Sequence, residues 1–355
     1  MVSQTAAKVA DSIASKPASQ ESVRGFLALS SRSAQLRDDL NSGNPRDPAA
    51  ESEELAEIDR QMSSEEAGVE RLIQDQVSAV LARSGVGYRL PGSAGLFPPV
   101  VFRYTPLPRL LVVSPRDRID RVASVLLDPR TAPDEVEELE ARVSKKGYIG
   151  LVVPIGGLGV FPSMVPDGTD LRNSFIAVAH EWTHHYLALR PLGWKYAVGS
   201  ESDQRMVTVN ETVAEIVGQQ IGDEVYRDIY RGAEGETQAQ SSSGRTDRFR
   251  SEMRAIRLEV DRLLAEGKIG DAEAFMASSR DRLQAEGFYI RKLNQAYFAF
   301  YGSYAAEPSL SGPQGERISE RVHALRDGSP TLGAFLSRVS EVGSYQAFSQ
   351  LSVSR

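Results

Sequence analysis

Asn173 to Leu189, NSFIAVAHEWTHHYLAL, carries the densest chemical signal in the chain. It contains neither proline nor glycine, and its pattern predicts a helix in which His180 and His184, four residues apart, project from one face. Two imidazole nitrogens then converge on one point. Zinc accepts such neutral ligands in tetrahedral geometry, and a catalytic site keeps the fourth position for water. Glu181, next to the first histidine, can reach that water as a base while staying outside the ligand set. Ala177 and Ala188 leave space one turn to either side, and Phe175, Val178, Trp182 and Tyr186 are free to pack elsewhere. Three of the four histidines in the chain fall within His180–His185, which argues against accidental placement.

A third ligand has to come from farther along. A glycine three residues and a histidine six residues after His184 would supply one, but Leu187 and Arg190 stand there, and the inverted HxxEH order is absent. Glu211, twenty-seven residues after His184, falls in Asn210-Glu-Thr-Val-Ala-Glu215, inside a second helical pattern marked by Val207, Val213, Ala214, Val217 and Ile221. Glu211 and Glu215 share a face. Such a pair suits one direct ligand and one acceptor that orients a ligand imidazole through its other ring nitrogen.

Together the two segments resemble the gluzincin superfamily of zinc peptidases, which includes thermolysin and aminopeptidase N. His180, Glu181 and His184 match its HExxH motif, and Glu211 with Glu215 matches the NExxx(D/E) helix that follows. The resemblance implies one Zn2+ per chain held by His180, His184 and Glu211, with Glu181 as general base and Asn210 and Glu215 supporting the ligands. It also implies that a strand edge ahead of the active helix holds the substrate backbone, which points to Gly156, Gly157, Leu158 and Gly159 and the run up to Val165. Aminopeptidases of this class carry a glutamate in that strand to hold the free amine. Here the segment GGLGVFPSMV has no acid, so an endopeptidase or oligopeptidase is the alternative to an aminopeptidase, and a non-catalytic, zinc-stabilised helical scaffold that binds a protein partner is the alternative of another class.

Leu293 to Tyr304, LNQAYFAFYGSY, resembles the ending of a family of bacterial proteins classed as aminopeptidases, through Asn294, Ala296 and Tyr304, with Gln295 in place of the family's second Asn. Tyr297, Tyr301 and Tyr304 recur at four and three, so their hydroxyls line one helix face. Tyr304 first, and Tyr301 after it, are the candidate donors to an oxyanion. His185 lies about 100° around the helix from His184. It and His323, which sits among arginines, are not expected to be ligands.

Outward from these motifs the chain divides into regions of different character. From Met1 to residue 84 two helical patterns flank Asn41–Pro45, a helical hairpin whose second helix has Leu55, Ile58, Met62, Val69, Leu72, Ile73, Val77, Val80 and Leu81 on one face. Residues 85–236 form the catalytic core, opening with strands at Val100–Tyr104, Arg109–Val113, Tyr148–Val153 and Leu158–Val165 and a helix at Ala132–Lys145. Gly156-Gly157, between two β-rich runs, reads as a hairpin turn. Thr237–Thr246 reads as a loop, and residues 247–355 as a helical bundle with Phe249, Met253, Ile256, Val260 and Leu263 inward. A small sheet followed by a helical body is an α+β arrangement.

Composition narrows the partners. With no cysteine, thiolate metal sites, cysteine nucleophiles and disulfides are excluded. The net charge of −7 and arginines scattered among acids give no basic stripe for nucleic acid, which leaves a peptide or protein substrate as the expected partner. Gly147–Pro166 has no charge over the length of a membrane span, but five glycines and three prolines exclude a spanning helix. The first thirty residues lack the apolar core of a secretory signal. Nothing sets oligomeric state or compartment, and an extracytoplasmic location, with an anchor outside these residues, is compatible with the absence of cysteine.

Overall fold

The computed structural model describes residues 18–41, 47–89, 95–155, 157, 161–166, 169–198, 203–230, 239–302 and 312–352. The fold class is α+β: short strands gathered in the first half, with helices before and after them.

Helices α1 (Gln20–Asn41) and α2 (Pro48–Arg83) form the expected hairpin. Asp47 caps α2 by accepting from the backbone N–H groups of Ala49 and Ala50, each at 3.1 Å, and Pro48 occupies the first turn, where its missing N–H is harmless. Arg32–Glu54 and Arg37–Asp59 ion pairs tie the two helices together. The apolar face read from the sequence is buried from Ile58 to Leu81 except at Leu72, which is half-buried, each fully covered aliphatic side chain contributing about 1.5–3 kcal/mol. These residues join the same core as the His180 helix, so the hairpin packs onto the body of the protein. Glu70 is the polar exception on that face. It takes the Tyr104 N–H at 2.8 Å and the Arg103 guanidinium, and burial pushes its carboxyl up to about 7 against both partners.

Strands β1 (Tyr88–Arg89) and β2 (Leu96–Phe97) make a small antiparallel pair. Strand β3 (Phe102–Tyr104) precedes the main sheet, in which β4 (Arg109–Pro115) lies between β5 (Ala123–Leu127) and β6 (Tyr148–Pro154), antiparallel to both. Side chains alternate across β4. Leu111 faces helix α3 (Pro133–Ser144) through Val136, while Val112 shares the other face with Leu151 and Val153 and with Ala296 and Phe300 of a later helix. The outer edge of β6 is closed by side chains. The Val152 N–H donates to Glu140 at 2.7 Å, and its carbonyl accepts from Arg291 at 3.0 Å.

Among the described residues, β6 and β7 do not pair as the hairpin expected at Gly156-Gly157 would require. Strand β7 is short (Ser163–Val165) and pairs in parallel with β3, so β6 and β7 belong to different sheets. Gly157 serves a close approach, as the metal centre shows. Strand β5 escapes the sequence reading because its residues are exposed on both faces and show no alternation.

Helix α4 (Leu171–Ala188) starts at Asp170, which caps the Asn173 N–H at 3.0 Å. Short α5 (Pro191–Ala197) follows, then α6 (Gln204–Val225), which is capped by Asp203 and continues as a π-helical turn over Tyr226–Tyr230. Helix α7 spans Ala239–Ala265, so the loop expected through Thr246 is helical from Ala239 onward. Its Ala, Gln and Arg residues propagate a helix without an apolar stripe of their own. Met253, Ile256, Val260 and Leu263 of α7 pack with α8 (Ile269–Ala285) and α9 (Gln295–Tyr301), while α10 (Gly312–Asp327), α11 (Leu332–Val339) and α12 (Tyr345–Gln350) return to the main core. Among the described residues no helix is long and apolar enough to cross a membrane.

Candidate metal centre

Helices α4 and α6 run antiparallel in close contact. Glu211 of α6 lies across from His180 and His184, and Gly222, toward the other end of α6, lies across from Ile176. Two glycines permit the approach. A methyl group at Gly222 would sit 2.5–2.8 Å from the side chain and backbone of Ile176, and one at Gly218 would lie 3.0 Å from His180 Cβ and from the Ile176 carbonyl. The spacing of four puts both on the face that α4 covers.

That docking brings three donor atoms together. His180 Nε2 and His184 Nε2 are 3.1 Å apart, and Glu211 Oε2 lies 3.6 Å from the first and 3.7 Å from the second. The point equidistant from all three is about 2.0 Å from each, the distance at which imidazole and carboxylate bind a first-row divalent ion. The surroundings fix which nitrogens are available. His184 Nδ1 donates to Asn210 Oδ1 at 2.9 Å, and His180 Nδ1 faces Glu215 Oε2 at 3.7 Å. With hydrogens on the Nδ1 atoms, both Nε2 lone pairs point at each other and at a carboxylate oxygen.

Such a donor set is stable only around a positive charge. Glu211 Oε2 is buried and accepts no hydrogen bond from the protein, which leaves a charged oxygen aimed into the triangle. The proton affinities of the three side chains reflect how closely they are crowded together. Burial opposes charge on His180, but its contacts with Glu211 and Glu215 outweigh that and raise it well above the ordinary 6.5. His184 is driven down to about 4, by burial first and by the charge on His180. Burial also opposes the Glu211 carboxylate, yet His184, His180 and the Tyr196 hydroxyl hold it at about 2. The group fits a metal ion in geometry, burial and donor chemistry.

Glu181 follows His180 in α4 and interacts electrostatically with both His180 and Glu211. It is buried, and its carboxyl makes no hydrogen bond to another described residue. Burial pushes it up to about 7, with His180 opposing and Glu211 reinforcing the shift. Gly157 lies against it so closely that a methyl group there would fall 2.6 Å from Glu181 Cδ and 2.9 Å from Cγ. Of the four residues proposed to line the substrate strand, Gly157 is thus at the site, while Gly156, Leu158 and Gly159 lie outside the described residues.

The other candidates sort as follows. His185 turns away from the ligands, its Nε2 3.3 Å from Ser163 Oγ and its ring beside Phe161. His323 is exposed on α10. Tyr301 sits in the aromatic cluster of α9 with Tyr297 and Phe300, between the sheet and the α7–α8 pair, and no hydrogen bond or ring contact joins it to Glu181 or the three ligands. Tyr304 lies outside the described residues.

One residue in contact with the candidate site went unseen in the sequence. Tyr196 of α5 donates its hydroxyl to Glu211 Oε1 at 2.6 Å and stacks its ring on His184, with centroids 5.4 Å apart and planes at 20°. PLGWKYA is too short for a periodic signal, and the only hint is Gly193, whose Cα presses against the Leu187 backbone at the end of α4. Comparison with protein-family models, curated proteins and solved structures gave no match.

Proposed function

We propose that this protein is a zinc-dependent peptidase, with His180, His184 and Glu211 as ligands and Glu181 as general base. One observation carries the reading: Glu181, the residue after His180 in α4, is a further buried carboxyl that interacts electrostatically with His180 and Glu211 and has room only because residue 157 has no side chain. A site whose ion only held the fold together would have no use for a fourth, poised carboxyl beside it.

Zinc fits two imidazoles and one carboxylate with no thiolate in the chain, and when bound it would polarise a carbonyl and acidify water. The protein's own residues do the rest. Glu181 takes a proton from the attacking water as oxygen adds to the scissile carbonyl carbon. It returns that proton to the amide nitrogen as the C–N bond breaks. Its elevated pKa, set mainly by burial, suits a group that must accept and release one proton near neutrality. Asn210 and Glu215 hold the two imidazoles by their Nδ1 sides, so that both Nε2 atoms stay in place through the cycle.

The lack of any acid in Gly156–Val165 favours internal cleavage over removal of N-terminal residues, because a free α-amine has no carboxylate to meet there. The decisive experiment digests a peptide library with the wild type and with Glu181→Gln and maps the cut bonds by mass spectrometry. Glu181→Gln should keep its zinc and lose turnover by about 10²–10⁴-fold. Full turnover in that variant would discard the mechanism. Equal cleavage of N-acetylated and free peptides would establish the internal mode.

A further inference from the structure

Glu211 offers two oxygens, and the structure treats them differently. Oε2 is buried, accepts no hydrogen bond and faces both Nε2 atoms, whereas Oε1 is taken by the Tyr196 hydroxyl at 2.6 Å. The same tyrosine ring lies flat on His184. One side chain therefore touches two of the three ligands, from a helix that contributes no ligand itself. The helix is anchored through its N-terminal half. Gly193 seats α5 on the Leu187 backbone, where a methyl group would be 2.5 Å from the carbonyl oxygen and 2.7 Å from Cβ, and the Leu192 N–H donates to the Ser340 carbonyl at 3.1 Å.

We propose that Tyr196 is a positioning residue that restricts Glu211 to one-oxygen ligation by occupying Oε1 and that braces His184 by stacking. A carboxylate free to rotate can present both oxygens to an ion and raise its coordination number. A hydroxyl fixed on Oε1 prevents that rotation, and it keeps a ligand position open for water and substrate, as hydrolytic chemistry requires. The inference rests on the three-ligand reading of the site and does not depend on peptide being the substrate.

The test measures zinc affinity of the full chain by competition with a chromophoric chelator, in wild type, Tyr196→Phe, Glu211→Ala and the double variant. Phenylalanine keeps the stacking ring and removes only the hydroxyl. Tyr196→Phe should weaken zinc binding about ten-fold, and in the Glu211→Ala background the same change should have no further effect, because the tyrosine acts through that carboxylate. An unchanged affinity in Tyr196→Phe, or an equal loss in both backgrounds, overturns the proposal. A second measurement uses cobalt-loaded wild type, which should give the intense visible bands of a four-coordinate ion, and the weak bands of a six-coordinate ion overturn it without any variant. If Glu211→Ala matches wild type, the ligand assignment fails and this inference with it. If Glu211→Ala weakens binding while Tyr196→Phe does not, only the role of Tyr196 fails.

Discussion

Gly157→Ala separates the position of the proposed base from everything else in the site. Gly157 is not among the glycines with positive φ, so alanine meets no backbone penalty there. Its methyl group would start 2.6 Å from Glu181 Cδ and 2.9 Å from Cγ, whereas carbons pack at about 3.5–4.0 Å. The carboxyl must retreat by about 1 Å. It can do so cheaply, since no hydrogen bond to a described residue holds it, and the stability loss should be about 1 kcal/mol. A displacement of that size at a reacting group is worth about 100-fold in rate, or about 2.7 kcal/mol of barrier. The assay compares kcat/KM on a cleaved peptide with zinc stoichiometry and thermal unfolding in the same preparations. The expected variant is folded, loaded and about 100-fold slower. A rate within three-fold of wild type, or about that, would refute the placement of Glu181 as base, because the carboxyl cannot stay where it is beside that methyl group.

Other expectations follow from the same structure. Gly222→Ala drives a methyl group into the Ile176 backbone and should cost about 1–3 kcal/mol, more than Gly218→Ala, whose closest contacts are 3.0 Å; thermal melts that reverse this order would contradict the helix docking. If the three donors bind zinc, free zinc at about 100 times its Kd should stabilise the fold by about 2.7 kcal/mol in scanning calorimetry, and a His180→Ala variant should lose most of that shift. Glu140 is pushed up by burial, but Arg291, Lys292 and the Val152 N–H outweigh this and hold it below the ordinary 4.5. A depressed carboxylate contributes stability that is present above its unfolded value and fades as pH falls through its folded value. Glu140→Gln should therefore cost about 2 kcal/mol at pH 7, with the gap to wild type closing below about pH 4 in urea titrations, and a gap that is constant with pH would exclude the ion pairs as its source.

The ligand helices were legible because their signals are local. His180 and His184 declare a shared face through a spacing of four, and Glu211 and Glu215 do so beside an apolar stripe that the structure buries. The hairpin of α1 and α2 was readable for the same reason, its stripe being long and unbroken. What escaped depends on approach between distant segments. Tyr196 matters only because Gly193 seats α5 on the end of α4, and no periodicity in seven residues can announce that. Gly157 carried a true glycine signal with another cause than the one read: its missing side chain makes room for Glu181, and β7 finds its partner in β3. The serine-rich start of α7 reads as a loop because its composition is simple and includes Gly244, yet the helix runs through it from Ala239.

The side chains bolted onto Val152 also decide how another polypeptide can lie against this protein. A strand lengthens its sheet by offering N–H and C=O groups to a newcomer, and at this rung Glu140 and Arg291 have claimed both, while Pro154 two residues later has no N–H to offer. An unfolded neighbour therefore finds no ladder to climb along the middle of β6, which guards against filament growth from that side. On the proposed function, a chain bound for Glu181 would have to be aligned elsewhere, and the backbone of Gly157 lies against that carboxyl.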